Sequence, residues 1–409
     1  MFSLAWRNIW RNRRRCLLTA SSVVMVASLT LVLFGCSAAL KNGMFQNLTE
    51  DTGHLVVQVE SWRDVRAFDQ LLIDEATQLQ DLIEEISPAA ELAALLEVPT
   101  LLSGKMRSRG IRLIGIAQPA ALEGVFKAKY LAAGQLIQPH SLDEVILGTG
   151  LARALRVGLG DTVYAYAPGT EGYGAVALTV VGLLDLPATA FAARTAYVSL
   201  SAAQELAAPD AVTRFELHLP ELKRLADENE ITGLQKKLSS QLPEELVVES
   251  WRQVNPDLAT ILDLLEPMLL FYAFIFFGMA GLLVVNTVYL SLVERIREFG
   301  VIISLGAGRW KVMRLVLLET GLLVLGGSLV GGGLGVLGVL RMSQGFTMPL
   351  GLAEIYAEFG LPTMLYASLS TGQVLSTLLF AITTAMLAAL WPAWVAGRLE
   401  PVEAMKFVT

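Results

Sequence analysis

Two cysteines and three histidines among 409 residues leave little room for thiol or imidazole chemistry. Cys16 and Cys36 share one apolar stretch, which excludes a disulfide scaffold and a thiolate zinc site. His54, His140 and His218 are far apart and form no His-x3-His or His-Glu-x2-His spacing, so only convergence in space could make them a metal site. No phosphate-cradling Gly-x4-Gly-Lys-Ser/Thr occurs, since Gly104-Lys105 is followed by Met106, and no Gly-x-Ser-x-Gly nucleophile turn is present. The chain is therefore not read as an enzyme. Charge is also scarce: 17% of residues are charged against 54% hydrophobic, with a mean hydropathy of +0.55. That is too apolar for an ordinary soluble protein.

The apolar excess is segregated into uncharged runs, Cys16 to Leu40, Pro267 to Val293, Thr320 to Leu340 and Leu361 to Gly397. Each clears the roughly 20 residues that cross a bilayer as a helix. The last contains Pro362, Ser368, Ser370, Thr371 and Gly372, so its helix is expected to begin near Gln373. Positive flanks stay on the cytoplasmic side. Arg7, Arg11, Arg13, Arg14 and Arg15 precede the first run, and Arg295, Arg297, Arg309, Lys311 and Arg314 fill the connection between the second and third. After the third, only Arg341 stands beside Glu354 and Glu358. Both termini are thus expected in the cytoplasm, in a multi-pass cytoplasmic (inner) membrane protein. Lys41 to Glu266 then lies outside, with 18 Lys or Arg against 31 Asp or Glu, an acidity that gives no reason to expect a nucleic-acid partner. An alternative reading of Arg11 to Cys36 as a lipoprotein signal cleaved before Cys36 is disfavoured by the length of the apolar stretch, the bulk of Phe34 and the three further spans.

The external segment reads as mixed helix and strand. His54 to Glu60 alternates like a strand, Phe68 to Ile86 has helical spacing, and Ala93 to Leu102 is extended. A second such unit comprises Val212 to Leu219, a helix over Glu221 to Leu242, and Leu246 to Ser250. Short strands at Val145 to Leu147, Thr162 to Ala167, Ala175 to Leu184 and Thr195 to Val198 lie between them, separated by turns. The expected fold is four transmembrane helices with an extracytoplasmic α+β domain of two subdomains, the second inserted in the first. In order, residues 1–15 form an interfacial amphipathic helix, 16–40 the first span, 41–257 the external domain with its β-rich insertion at 119–204, and 258–293 a stalk and second span. Residues 294–313 form a cytoplasmic segment, 314–340 the third span, 341–372 an external loop, 373–397 the fourth span and 398–409 a tail.

The uncharged runs hold Asn286, Thr287 and Gln373 as exceptions, better suited to interhelical hydrogen bonds than to a solute path. Gly327, Gly331 and Gly335 repeat every fourth residue, a smooth stripe that serves either the chain's own bundle, which is favoured, or a dimer contact. In residues 1–15, Phe2, Leu4, Trp6, Ile9 and Trp10 beside Arg7 and Arg14 suit a helix lying in the lipid headgroups; a basic flank that only sets topology is the alternative. The strongest local signal is Glu294-Arg295-Ile296-Arg297-Glu298-Phe299-Gly300-Val301-Ile302-Ile303-Ser304-Leu305-Gly306-Ala307. A charged first turn, an apolar face and a glycine stop make a short amphipathic helix that either lies on the membrane or inserts into a partner.

This segment resembles the coupling segment of FtsX-like and MacB-like ABC permeases, with Phe299 where an aliphatic residue is usual. The opening Ala5-Trp6-Arg7-Asn8-Ile9-Trp10, the closing Leu399-Glu400-Pro401-Val402-Glu403-Ala404-Met405 and the turn Glu144-Val145-Ile146-Leu147-Gly148 are similar to the family's as well. The resemblance implies a MacB-like periplasmic core domain and a dimer of permease subunits, homomeric or heteromeric, above separate ABC ATP-binding subunits that carry the ATP and magnesium; this chain would hold no cofactor. It implies that Arg295, Arg297, Glu298, Gly300, Leu305 and Gly306 dock the ATPase, flanked by Trp6, Arg7 and Arg14, and that ATP-driven motion reaches the external domain by mechanotransmission. The proportions are most similar to lipoprotein-releasing permeases of the LolC/LolE type, which implies a lipoprotein substrate and a periplasmic carrier. Export of a peptide or drug with a membrane fusion protein is the second expectation, and a four-span receptor or scaffold that uses no ATP the third.

Overall fold

The computed structural model describes residue 7 and residues 13–63, 67–117, 130–170, 172–185, 194–222, 224–305, 307–347, 351 and 364–398. Packing divides the chain into two units, one of residues 1–40, 261–347 and 364–409, the other of residues 41–260 and 348–363.

Among the described residues four helices are long and apolar enough to cross a membrane. The first, Arg13–Thr52, runs well past the end of its uncharged run at Leu40, because the residues beyond it continue helical with Met44 and Phe45 buried. The second, Pro256–Glu294, starts on a proline, whose fixed φ and missing N–H suit a first helical turn, and continues through Pro267 as one 39-residue helix. Arg309–Met342 is the third. The fourth, Thr371–Gly397, begins slightly before Gln373: the Ser370 hydroxyl accepts from Gln373 N at 3.2 Å, while Gln373 Oε1 accepts from Ser370 N at 3.0 Å. This Ser-x-x-Gln capping box satisfies N–H groups that the first turn leaves open. Val23, Val284, Val324, Ala385 and Ala389 form one core of this unit, all four helices contributing.

The other unit is built on a ten-stranded sheet. Its elements in chain order are β1 (Leu55–Val59), α1 (Ala76–Ile86), β2 (Glu91–Ser103), β3 (Ser108–Ile116), β4 (Leu131–Gly134), β5 (Glu144–Gly148), α2 (Thr149–Leu155), β6 (Thr162–Gly169), β7 (Gly172–Leu184), β8 (Thr195–Ser199), α3 (Leu200–Leu206), β9 (Arg214–His218), α4 (Glu228–Ser239) and β10 (Leu246–Ser250). The strand order is β10-β1-β9-β2-β3-β8-β5-β7-β4, with β6 pairing β2 and β7. Strands β4 to β8 are inserted between β3 and β9, yet they hydrogen-bond into the same sheet, β3 to β8 in parallel and β2 to β6 antiparallel. The two subdomains therefore share a core, in which Leu96, Val98 and Leu113 meet Val145, Val163 and Val198. Part of the expected insertion, residues 119–129 and 186–193, lies outside the described residues.

Two elements differ from the sequence reading. The helix expected over Phe68 to Ile86 is a 3-10 turn at Phe68–Leu71 followed by α1 from Ala76, because Ile73 bridges Val212 in extended conformation and Glu75 takes φ +52° before the helix starts. The helix expected over Glu221 to Leu242 is reduced to α4 after a 3-10 turn at Leu225–Asp227.

Within this unit the Phe45 ring stands edge-on to Trp251 at 5.4 Å and to His54 at 5.7 Å. Leu219 N donates to His54 Nδ1 at 3.0 Å, so the proton sits on Nε2, which donates to the Leu222 carbonyl at 3.0 Å. Burial pushes the imidazole below its ordinary value. The unfolded chain therefore binds the proton more readily than the fold does. The stabilisation is complete above the unfolded pKa of about 6.5 and is lost as pH falls through the depressed folded value. Thermal unfolding of the whole chain in neutral detergent, followed by tryptophan fluorescence, should hold its midpoint above about pH 7 and drop below about pH 6. His54→Gln should flatten the part of that slope that His54 contributes.

Candidate functional site

The segment between the second and third helices forms a helix of its own, Ile296–Ser304, which starts directly after Arg295. Its inner side is fixed by one charged and one aromatic anchor. Arg295, buried at 7% exposure, donates from Nη1 to Glu319 Oε2 at 2.8 Å and from Nε to Glu298 Oε2 at 3.1 Å. Its guanidinium lies 5.0 Å from the centre of the Phe299 ring. Phe299 is fully enclosed by the cluster of Leu292, Val312, Leu315, Val316, Ala393 and Ala396, so an aromatic ring at this position fills the gap between the second, third and fourth helices. Gly300 is buried beside it.

The outer side is apolar and, among the described residues, uncovered. Val301, Ile302 and Leu305 are exposed, Leu305 at 82%, and Arg297 and Glu298 flank them. Ile303 turns inward against the Phe299 cluster. Leu305 N donates to the Val301 carbonyl at 3.0 Å and Ala307 N to the Ile302 carbonyl at 3.2 Å, closing the last turn. Glu294 is exposed at the end of the second helix. Gly306, Trp6 and Trp10 lie outside the described residues, as does the side chain of Arg14, and Arg7 is exposed.

The sequence reading assigned Arg295 to the docking surface, but the structure turns it inward, and its partner Glu319 was not singled out. Glu319 stands one residue before the uncharged run of the third span, where it reads as the edge of the basic connection. The signal was there: it is the sole acidic residue of Arg309–Met342, a helix whose other charges are basic. A lone acid so placed needs a cation, and Arg295 supplies it. Among the described residues no group of His, Cys, Asp and Glu is arranged to hold a metal ion.

Comparison with known proteins assigns both halves of the chain. Residues 270–401 match the FtsX-like permease C-terminal family, and residues 16–228, more than half of the chain, match the MacB-like periplasmic core domain. The chain belongs to the FtsX-like, MacB-like family of ABC transporter permeases. It is similar to the lipoprotein-releasing system transmembrane protein LolC of Xylella fastidiosa (strain Temecula1 / ATCC 700964), 23% identical over 71% of this chain and 73% of that one. It is also similar to the uncharacterized ABC transporter permease YknZ of Bacillus subtilis (strain 168), 33% identical over 31% of this chain and 28% of that one. The crystal structure of the periplasmic region of MacB from Actinobacillus actinomycetemcomitans aligns with 53% of this chain and 97% of its own at a TM-score of 0.35 and 14% identity. The permease is a multi-pass membrane protein with four spans and a MacB-like periplasmic core domain.

Within the permease bundle the glycine stripe faces the first helix. A Cβ on Gly327 would stand 3.0 Å from the Ala20 carbonyl oxygen, one on Gly331 2.6 Å from that of Val24, and one on Gly335 2.9 Å from Leu31 Cβ. The stripe thus lets two backbones touch within one subunit. Gly331→Leu should destabilise the detergent-solubilised permease by about 1–3 kcal/mol through overpacking against backbone that cannot yield. Gly333→Ala, where a Cβ meets nothing within 4 Å, should leave the melting temperature unchanged or slightly raised.

Proposed function

We propose that the chain is the permease subunit of an ABC transporter, receiving the motion of a separate ATP-binding subunit on the helix Ile296–Ser304 and passing it to the external domain. The observation that carries this reading is the two-sided character of that helix. Arg295 and Phe299 lock one side into the bundle, and Val301, Ile302 and Leu305 stand exposed on the other. A segment anchored so firmly transmits displacement, and one so apolar on its free side calls for a cover. Trp310, at the start of the third helix, and Trp391 and Trp394, near the end of the fourth, are exposed where Gly397 approaches Arg309, with Arg398 stacked 4.0 Å from the Trp394 ring centre, a belt suited to the inner headgroup layer. This supports placing the segment and both termini on the cytoplasmic side of the inner membrane and the core domain outside.

The proposed substrate is a lipoprotein lifted from the outer leaflet, because the similarity to LolC extends over most of the chain. In this reading a second permease subunit completes the dimer, ATP and magnesium sit on the partner ATPase, and a periplasmic carrier accepts the cargo. Export of a peptide or drug with a membrane fusion protein is the second reading, supported by 26% identity over 40% of the chain to the macrolide export ATP-binding/permease protein MacB of Syntrophobacter fumaroxidans. Purification of the tagged chain from its native membrane in mild detergent, with mass spectrometry and an ATPase assay, tests the proposal. An ATP-binding subunit should co-purify, and the accompanying lipoprotein or fusion protein would name the substrate class. If no ATPase associates, the external domain is better read as a receptor.

A further inference from the structure

Part of one sheet face in the external unit is open and aromatic. β9 pairs β2 only as far as Leu95, and from Leu101 to Ser103 that edge of β2 is taken by β6. Along β2, Val98, Thr100 and Leu102 are buried while Pro99 and Leu101 are exposed, so this stretch is packed on one face and, among the described residues, uncovered on the other. The register sets Tyr166 of β6, Leu101 of β2 and Gly110 of β3 side by side across the open face, and it brings Tyr173 of β7 opposite Pro168 of β6. Leu101 and Tyr166 are about half exposed and Tyr173 almost wholly so. At Gly110 this surface has room, since a Cβ there would meet nothing within 4 Å. These residues, with Pro99, line a cavity of about 680 Å³, the size of a small-molecule site.

The charge of the cavity is of one sign. Arg112 and Arg194 both line it, and among the described residues no Asp or Glu does. That inverts the balance of the external segment, where acidic residues outnumber basic ones by 31 to 18. Arg112 is already held, its Nη1 donating to Glu97 Oε1 at 2.8 Å. Arg194 is exposed and makes no hydrogen bond or ion pair to any described residue. The other polar side chains of the lining are Thr100, whose hydroxyl donates to the Val98 carbonyl at 3.0 Å, and Tyr166 and Tyr173, whose hydroxyls engage no described residue. The unmet capacity is therefore one of donors: a guanidinium, whose fork of N–H groups matches a carboxylate or phosphate, and two phenol hydroxyls.

We propose that this cavity binds a small organic anion, a carboxylate or phosphate carried on an aliphatic or aromatic body, with Arg194 pairing the anionic group and Leu101, Tyr166 and Tyr173 covering the apolar part. A cation is disfavoured by the two guanidinium groups. A purely apolar ligand would strip water from Arg194 and return no hydrogen bond. The site stands independently of the transport proposal, since its evidence lies wholly in the core domain.

The test is isothermal titration of the full-length chain, in nanodiscs of zwitterionic phosphatidylcholine, with 4-phenylbutyrate and phenyl phosphate, against 4-phenylbutanol and 4-phenylbutylammonium as uncharged and cationic controls. Saturable binding of at least one anion, about tenfold or more tighter than either control, is expected, because a hydrogen bond to a charged group contributes about that factor. The tighter of the two anions identifies the group as carboxylate or phosphate. Arg194→Ala, at an exposed position, should weaken binding about tenfold and remove the preference for the anion over the alcohol. Gly110→Trp fills the cavity from its floor strand, into open space and with both arginines kept, and should abolish binding with unchanged circular dichroism. Should that variant fail to fold, Arg194→Ala alone decides. Equal heats in wild type and Gly110→Trp, an anion preference that survives Arg194→Ala, or no saturation up to about 1 mM would overturn the proposal.

Discussion

Leu305→Asp should uncouple the permease from its ATPase while leaving the permease itself intact. At 82% exposure, Leu305 contributes almost nothing to the fold, so the melting temperature should stay within about 1 °C of wild type. On a partner the same side chain would bury most of its apolar surface, worth about 1.5–3 kcal/mol, and a carboxylate in its place adds a desolvation penalty. Co-purification of the ATP-binding subunit should therefore fall at least about tenfold, and substrate-stimulated ATPase activity with it. Val301→Asp and Ile302→Asp should act in the same direction. Glu298 is a poorer probe, since it pairs with Arg295 and its substitution mixes docking with anchoring. Were Leu305→Asp to keep full coupling, the exposed face would be a membrane contact and the docking surface would lie elsewhere.

The pattern of strengths in the sequence explains what could be read from it. Hydrophobic runs and basic flanks are local and cumulative, so four spans and a short amphipathic helix within the segment 294–313 follow from the order of residues alone. Strands with alternating faces were legible for the same reason, as at Thr162–Gly169, where exposed and buried residues alternate. What escaped was decided by contacts distant in sequence. Whether Ile73 is helical or extended depends on Val212, and nothing near Ile73 announces it. β3 carries Arg109, Gly110 and Arg112 and lacks the apolar density of a strand, yet it pairs with β2 along nine consecutive positions, Leu95–Ile116 through Ser103–Ser108. The continuation of the first helix to Thr52 passes through polar residues, because packing of Phe45 and a hydrogen bond from Leu225 N to Asn42 Oδ1 at 3.3 Å replace hydrophobicity as the reason to stay helical. In the segment between the second and third helices the residue pattern showed that a helix forms, but which residues turn inward required the position of Glu319.

Arg295→Ala should be the most damaging single change in the bundle. It removes the cation from Glu319, which is 15% exposed, and loosens the cover over Phe299. Breaking a buried ion pair from one side costs about 3–5 kcal/mol where the remaining charge has nothing else to offset its desolvation; Glu319 keeps a further interaction, so the loss should sit at the low end of that range. By contrast the Glu298 arm is 43% exposed on the carboxylate side, and Glu298→Gln should cost less than about 1 kcal/mol. The two carboxylates held by one guanidinium therefore separate cleanly by burial. A double-mutant cycle decides whether the Glu319 pair behaves as argued. Arg295→Met combined with Glu319→Leu should recover most of the stability lost by Arg295→Met alone, since an apolar pair of similar volume carries no stranded charge. Coupling should not return with it, because the two methyl-terminated side chains do not fix the angle of the helix Ile296–Ser304 as a guanidinium bonded to both Glu298 and Glu319 does. Recovery of stability without recovery of ATPase stimulation would assign Arg295 to holding the lever in place. Recovery of both would mean that the aromatic anchor at Phe299 suffices.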